Sequence, residues 1–419
     1  MSDLDRARAQ RLLQERGLDA LVLTQPESFT YATGLPAGVP AMWRRAGGAT
    51  ALVPSDAGAR LGAVVGDLNA DALARRAPDI DIRTHPLWID LVDIEGLGPD
   101  APADTASRVT EAYRRDNGGQ DAFLPRPTTF SAAGAFAVLG DLLGERGLGR
   151  TRIGIDLEFM PAADFATLQR VLPDIEWVDA SEVVRRLRAI KSAREIDCIR
   201  RACSLADAGF HALTAGIEPG QTAKDMTRLW RDGVLAAAAA RGETGLTGMW
   251  DYMSVGSDPW SGGGSVVPGA ILKADVGCIV EGYNSDTARS YVFGEPDRTA
   301  RDVHAALESA FEAGLAAIRP GIAMRDVFEV TVGAMRAAGY SGYRRGHYGH
   351  SIGASVGSEE WPFFAADSDV ILEPGMALAF ETPFYGRGIG ALTIEDSLVV
   401  TETGIEVLNN LPRELVRLG

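Results

Sequence analysis

Four carboxylates and one histidine in the C-terminal part of the chain stand in an order suited to holding divalent cations. They are Asp275 in ILKADVGCIVEGY, Asp286 in NSDTARSYVF, His350 in YGHSIG, Glu381 in GMALAFETPFY and Glu395 in GALTIEDSLVV. Each pair of carboxylates lies in apolar, strand-like segments joined through a Gly-containing turn. Gly282 and Asn284 bend the first hairpin, and Gly386, Gly388 and Gly390 bend the second. A carboxylate on a strand that faces a protein interior is costly unless something neutralises it. Four of them converging repel one another, and divalent cations are the ordinary remedy. Oxygen-rich donors with a single imidazole suit Mn, Fe, Co or Zn better than a thiolate-bound structural zinc. Two such ions ~3.5–4 Å apart can share a bridging water, lower its pKa towards neutrality and polarise a substrate oxygen.

The order Asp, Asp, His, Glu, Glu is carried by D-x-G…GY-x-SD…R, GH-x-IG, PGM…E and IED…VTE-x-G. It resembles the pita-bread metallopeptidases, a family that includes methionine aminopeptidase, aminopeptidase P and prolidase, with creatinase as a metal-free relative. Any one motif is weak; all five in order with family spacing are specific. The resemblance implies a cofactor of two divalent metal ions, with Asp286 and Glu395 bridging them. Asp275 would complete one ion, and His350 and Glu381 the other. It also implies Glu381 as the proton shuttle beside the nucleophilic water.

The chain departs from the family around the substrate. Aminopeptidases and prolidases of this family use two further histidines, one before the first Asp and one shortly after the ligand His. The five histidines here are His85, His211, His304, His347 and His350, so neither position is filled. The upstream position falls in SDPWSGGG near Gly263, and the downstream one on Gly357 or Glu359. Thr393 stands where proline-specific members carry an Arg two residues before the last Glu, and Ala288 replaces the Thr of SD-x-TR, although Arg289 remains. His347, three residues before His350, is a candidate for one of the lost catalytic roles. Aromatic residues gather around these gaps: Trp250, Tyr252, Trp260, Tyr283, Trp361, Phe363, Phe364 and Tyr385. They suit an apolar or cation-binding pocket. Trp260, Tyr283, Trp361, Tyr385 and Arg387 are the substrate-binding candidates, with Arg344 and Arg345 as further carboxylate clamps.

The leading expectation is therefore a metal-dependent hydrolase resembling Xaa-Pro peptidases. It would cleave an amide-type C–N bond in a small peptide or non-peptide substrate, with Xaa-Pro peptides themselves as poor substrates. The alternatives are a true Xaa-Pro dipeptidase or aminopeptidase, or a metal-dependent lyase of the same family cleaving C–S bonds as dimethylsulfoniopropionate lyase does. A non-enzymatic binding module would be expected to lose metal ligands first, and all five are present.

Residues 4–16 carry apolar positions at helical spacing, with Gly17 placed to end that helix. DALVLT, ATALVP, GAVVG and RIGIDL read as short strands, PESFTYATGLPAG as a loop, and Ala162–Val171 as a helix. This α/β pattern predicts a partly parallel sheet. DALVLTQPESFTYATG also resembles the N-terminal domain of creatinase, prolidase and aminopeptidase P, which methionine aminopeptidase lacks. His85, beside Pro86, reads as a surface or loop histidine. One linking helix is expected through SEVVRRLRAIKSAREIDCIRRACSLADAGFHALTAG, with the domain boundary near 180: residues 1–180 creatinase-like, residues 181–419 an α+β pita-bread domain. Within the latter, AGIEPGQTAKD at 215–225 recurs 101 residues later as AIRPGIAMRD. Each copy is followed by a helix, a Gly-rich region and a hairpin bearing two carboxylates, which predicts pseudo-twofold halves.

A net charge of −16 argues against a nucleic-acid partner, since neutralising phosphates takes basic patches. No stretch approaches the ~18–20 apolar residues of a membrane span, and the N-terminus lacks the apolar segment of a signal peptide. Three cysteines without metal-ligand spacing point to a reducing, cytoplasmic setting. The family resemblance implies a homodimer, with loops of residues 25–60 bordering a neighbouring site.

Overall fold

The structure, a computed structural model, describes residues 2–38, 42–99, 102–116, 126–260, 263–354 and 359–419. The chain divides into two compact units, Met1–Val184 and Arg185–Gly419, the division falling inside the helix Ser181–Ala189.

The first unit is built on a six-stranded mixed sheet. Its central strand, Ala20–Leu23, pairs antiparallel with Thr50–Pro54 and parallel with Arg152–Ile155. Gly62–Gly66 and Asp81–His85 extend one side, and Glu176–Asp179 closes the other. Helix Ala132–Glu145 lays Phe136, Leu139, Leu142 and Leu143 against Val22, Leu52, Val64, Ile153 and Ile155. The four predicted strands are present, as are the helices Arg6–Glu15 and Ala162–Val171. Two expectations are corrected. Residues Pro26–Thr33 form a helix rather than a loop. Pro26 sits at its first turn, where a missing N–H costs nothing, and Gly34 just past its end. His85 is buried on a strand, with Nε2 3.1 Å from the Gly48 carbonyl, and is not a surface residue.

The second unit begins with a further correction. The expected single linking helix is two, Ser181–Ala189 and α1 (Ala193–Gly216). Ser192 accepts from the Glu195 N–H while Glu195 accepts from the Ser192 N–H, a reciprocal cap that starts a new helix. α1 packs on α2 (Ala223–Arg241), and α3 (Arg298–Ala317) packs on α4 (Met324–Ala337). The sequence repeat is visible in the turns between these helices. Gly220 N–H donates to Val266 O at 2.8 Å, and Val266 N–H to Gln221 O at 2.8 Å. Gly321 N–H donates to Leu372 O at 2.9 Å, and Leu372 N–H to Ile322 O at 2.8 Å. Both glycines hold a positive φ, 84° and 87°, which a side chain would strain.

The helices cover one face of an extended, almost wholly antiparallel sheet. Its central strands are β1 (Ile271–Val280), β2 (Thr287–Phe293), β3 (His347–Ser351), β4 (Glu360–Ala365), β5 (Ala377–Glu381) and β6 (Ile394–Val400). In space they run β1-β2-β6-β5-β3-β4, so β2 and β6 join the two repeats. Alternation assigns the faces. Leu272, Ala274, Val276 and Cys278 of β1 pack with Phe210 and Trp230 from α1 and α2. Leu378, Phe380, Ile394 and Leu398 pack with Phe311, Met324 and Val327 from α3 and α4. The odd-numbered Asp275, Glu381 and Glu395 are left to the other face.

Arg289 locks the seam between the repeats. Its guanidinium donates to Glu395 O at 2.6 Å and Pro412 O at 2.8 Å and pairs with Asp396, which Arg413 Nε also contacts at 2.8 Å. Side chains of Arg289 and Asp396 are 2% and 1% exposed. Asp396→Ala leaves that guanidinium buried without its counter-charge, and the expected loss is about 3–5 kcal/mol of unfolding free energy. A denaturant titration checks this; an unchanged midpoint would count against the pair as the lock of the seam.

Candidate metal centre

Strand register delivers the donors to one place. Ala288 of β2 lies opposite Asp275 on one side and Glu395 on the other, and Glu395 lies opposite Glu381. Cross-strand partners share a face, so Asp275, Ala288, Glu395 and Glu381 form one row, with a methyl group at the position between the first two carboxylates. Asp286, two residues before Ala288, falls on the same face. Ser397 anchors it: the Ser397 hydroxyl accepts from the Asp286 N–H at 3.2 Å and donates to its carbonyl at 2.7 Å. His350 is opposite Ala379, two residues from Glu381, and completes the set. Gly349, at φ 120°, lets β3 come this close, because a Cβ there would stand 2.1 Å from Ala379 O.

The imidazole is oriented as a ligand. His350 Nδ1 faces the Ser351 carbonyl at 3.0 Å, and a carbonyl can only accept, so Nδ1 carries the proton. Nε2 then presents its lone pair 3.7 Å from Asp286 Oδ2 and 3.9 Å from Glu395 Oε1. The three side chains are almost fully buried, and their ligating atoms all lie within 4.8 Å of one another. Asp275 and Glu381 each have a cation instead. Lys273 Nζ is 2.9 Å from Asp275 Oδ2, and an Arg345 guanidinium nitrogen is 2.8 Å from Glu381 Oε1. His347 Nδ1 stands 3.5 Å from the same Glu381 oxygen and accepts from the Gly349 N–H at 3.2 Å, which puts its proton on Nε2.

Electrostatics mark the set as one that lacks positive charge. Burial, then the charges of Asp286, Glu381 and Asp275, push the Glu395 carboxyl well above its ordinary range. Burial pushes Glu381 up to about 7, with Asp275 and Glu359 adding to the rise and Arg345 and Lys273 opposing it. Burial lowers His350, and it brings His347 down to about 4 with help from His350 and Arg345, so both imidazoles are neutral at pH 7. Buried carboxylates beside a neutral, pre-oriented imidazole fit a divalent cation.

A consequence for pH follows. Burial and the neighbouring carboxylates favour the protonated form of Glu395, and a ligand must be deprotonated, whereas neutral His350 has no proton to lose at Nε2. Metal affinity is therefore expected to rise with pH, with protons released on binding. Calorimetric titration at about pH 6 and about pH 8, in buffers of different ionisation heat, measures both. Affinity and proton release independent of pH would contradict the assignment of Glu395.

The substrate-side candidates separate. Tyr385 lies near the row: burial and the charges of Asp275 and Glu381 raise its hydroxyl. Trp260 stacks on it at 4.9 Å and is 76% exposed. Trp361 is half-buried on β4, and Arg387 is exposed at the turn between Phe384–Gly386 and Gly390–Leu392. Tyr283 is a correction. Its ring is 3% exposed and belongs to a core cluster with Cys198, Ile199, Ile352 and Ala379, so packing has taken the surface a ligand would need. Phe364 is likewise core, while Phe363 lies against the His347 ring at 5.2 Å. The downstream position at Gly357 lies outside the described residues; Glu359 Oε2 is 4.0 Å from His347 Nε2. Lys273 belongs to none of the metal-ligand motifs, although its place two residues before Asp275 puts it on the same face of the strand.

A family model, "Metallopeptidase family M24", matches residues 197–402, and "Creatinase/Prolidase N-terminal domain" matches residues 6–85 and 105–190. A Mycobacterium tuberculosis protein named "Probable dipeptidase PepE" is 32% identical over 263 residues, covering 62% of this chain and 67% of that one. An "Xaa-Pro dipeptidase" of Pyrococcus horikoshii is 26% identical over 243 residues, covering 58% and 68%. Among solved structures, an Xaa-Pro dipeptidase from Bacillus anthracis superposes over 99% of both chains with a TM-score of 0.76 at 22% identity.

Proposed function

Since the chain belongs to metallopeptidase family M24 and its relatives include proteins named as dipeptidases, we propose that it is a metal-dependent hydrolase that cleaves an amide-type C–N bond in a short peptide or a related small compound. The observation that carries this reading is the buried set Asp286, His350 and Glu395, with the neutral Nε2 aimed at the two carboxylates. These residues would hold the divalent metal; a bound ion lowers the pKa of water and polarises a substrate oxygen.

The remaining steps belong to the protein. Glu381 receives Arg345 on Oε1, which leaves Oε2 to take a proton from the attacking water and return it to the departing nitrogen. Burial raises the Glu381 carboxyl and a bound cation would favour its charged form, so the group can take a proton and give it back. His347, neutral with its proton on Nε2, is a donor for the oxygen on which charge develops. Trp260 and Tyr385 offer stacked aromatic surface for the substrate side chain.

The test is a screen of metal-free and metal-reconstituted protein against dipeptides, tripeptides and small amides, followed by free-amine release. Release confined to the reconstituted protein is expected. Release equal in both samples, or none with any substrate, would refute hydrolysis at this centre.

A further inference from the structure

We propose that the Lys273 ammonium takes the place of one of the two ions that the ligand set implies, so that the centre holds a single divalent ion between Asp286, His350 and Glu395. The inference rests on the metal-centre reading above and narrows it.

Lysine is rarely buried unless something pairs with it, yet the Lys273 side chain is only 5% exposed. Its direction is set by alternation along β1: Leu272 and Ala274 go into the helical core, while Lys273 shares the face of Asp275. From there Nζ reaches Asp275 Oδ2 at 2.9 Å and lies 5.6 Å from the centroid of the Tyr385 ring, whose face also favours a cation. Asp275 is thus neutralised by a charge built into its own strand. At the other end of the row, Arg345 does the same for Glu381.

Formal charges give the same count. Asp275, Asp286, Glu381 and Glu395 bring four negative charges, and Lys273 and Arg345 bring two positive ones. The balance is two negative charges, which one divalent ion cancels. A second ion would leave the buried cluster with a net positive charge and would have to share Asp275 with an ammonium at contact distance, where like charges in a poorly screened site repel strongly. The geometry agrees: among the described residues, the donors that converge without an intervening cation are Asp286, His350 and Glu395. Asp275 and Glu381 stand outside that group, each bonded to its own cation.

The test counts ions and does not use turnover. Metal-free protein is titrated calorimetrically with Mn²⁺, and the loaded protein is analysed for metal after gel filtration. One ion per chain is expected for the wild type and for Lys273→Arg, and two for Lys273→Met, which keeps the length of the side chain and removes its charge. The Mn²⁺ paramagnetic resonance spectrum of the wild type provides a measurement that needs no variant: isolated ions are expected, not an exchange-coupled pair. Two ions of similar affinity in the wild type, a coupled spectrum, or a folded Lys273→Met that still takes one ion would overturn the inference. Two ions in the wild type would leave the hydrolase reading standing, whereas no bound ion would remove both.

Discussion

Glu381→Gln is expected to lower turnover by about 10²–10⁴-fold, the range typical of a lost general acid–base. Glutamine keeps the length of the side chain and an oxygen able to accept from Arg345, so the change removes the proton-carrying function and little else. The pH profile separates this from a general disturbance. Below about 7 the Glu381 carboxyl of the metal-free protein is protonated and cannot take a proton from water, so the wild-type rate falls as pH falls. A bound cation favours the charged form and shifts that limb to lower pH. In Glu381→Gln the limb should be absent from the residual rate. A variant that kept the wild-type limb and lost only a few-fold in turnover would assign the shuttle elsewhere, with His347 at 3.5 Å the first alternative.

The second large effect concerns proline. Xaa-Pro dipeptides are expected to turn over at least ~10²-fold below ordinary enzyme rates of ~10 s⁻¹, on the scale of one lost transition-state donor. A site built to hydrogen-bond its substrate draws rate from those donors, and their loss removes that stabilisation. The family's two substrate histidines and its proline-associated arginine have no counterpart near Gly263, at Gly357 or Glu359, or at Thr393. Thr393 is buried, and its N–H is used by the Ser290 hydroxyl at 2.8 Å, so it is committed to the sheet. Relatives named as Xaa-Pro dipeptidases make the comparison direct. Turnover of Xaa-Pro peptides at ordinary rates of ~10 s⁻¹ would mean that other groups have taken over, and His347→Gln would then be the variant that loses it.

The part of the centre that could be read in the sequence is the part carried on strands. Asp275, Glu381 and Glu395 sit in apolar, strand-like runs whose order along the chain predicts a converging set; the repeat around Gly220 and Gly321 supplies the pairing of the two halves. Residues whose role depends on tertiary reach were harder. Arg345 reads as a clamp for a substrate carboxylate, but the segment leading into β3 brings it to Glu381 of the protein itself. Tyr283 looks like a pocket aromatic beside Asp286, but its strand turns the ring into the core under Arg194. Lys273 was legible by the same alternation that places Asp275, and a search for metal donors passes over a cation among them. In the first unit, Pro26 followed by Gly34 resembles turn chemistry, and the helix between them rests on the buried Phe29, Tyr31 and Ala32.

The most direct test of the centre is anomalous diffraction from crystals grown with Mn²⁺ or Zn²⁺. A metal peak is expected between Asp286, Glu395 and His350 Nε2, at about 2.0–2.2 Å from the donor atoms, with Lys273 still against Asp275. Saturated crystals with no peak at these three residues, or with metal only at surface carboxylates, would contradict it.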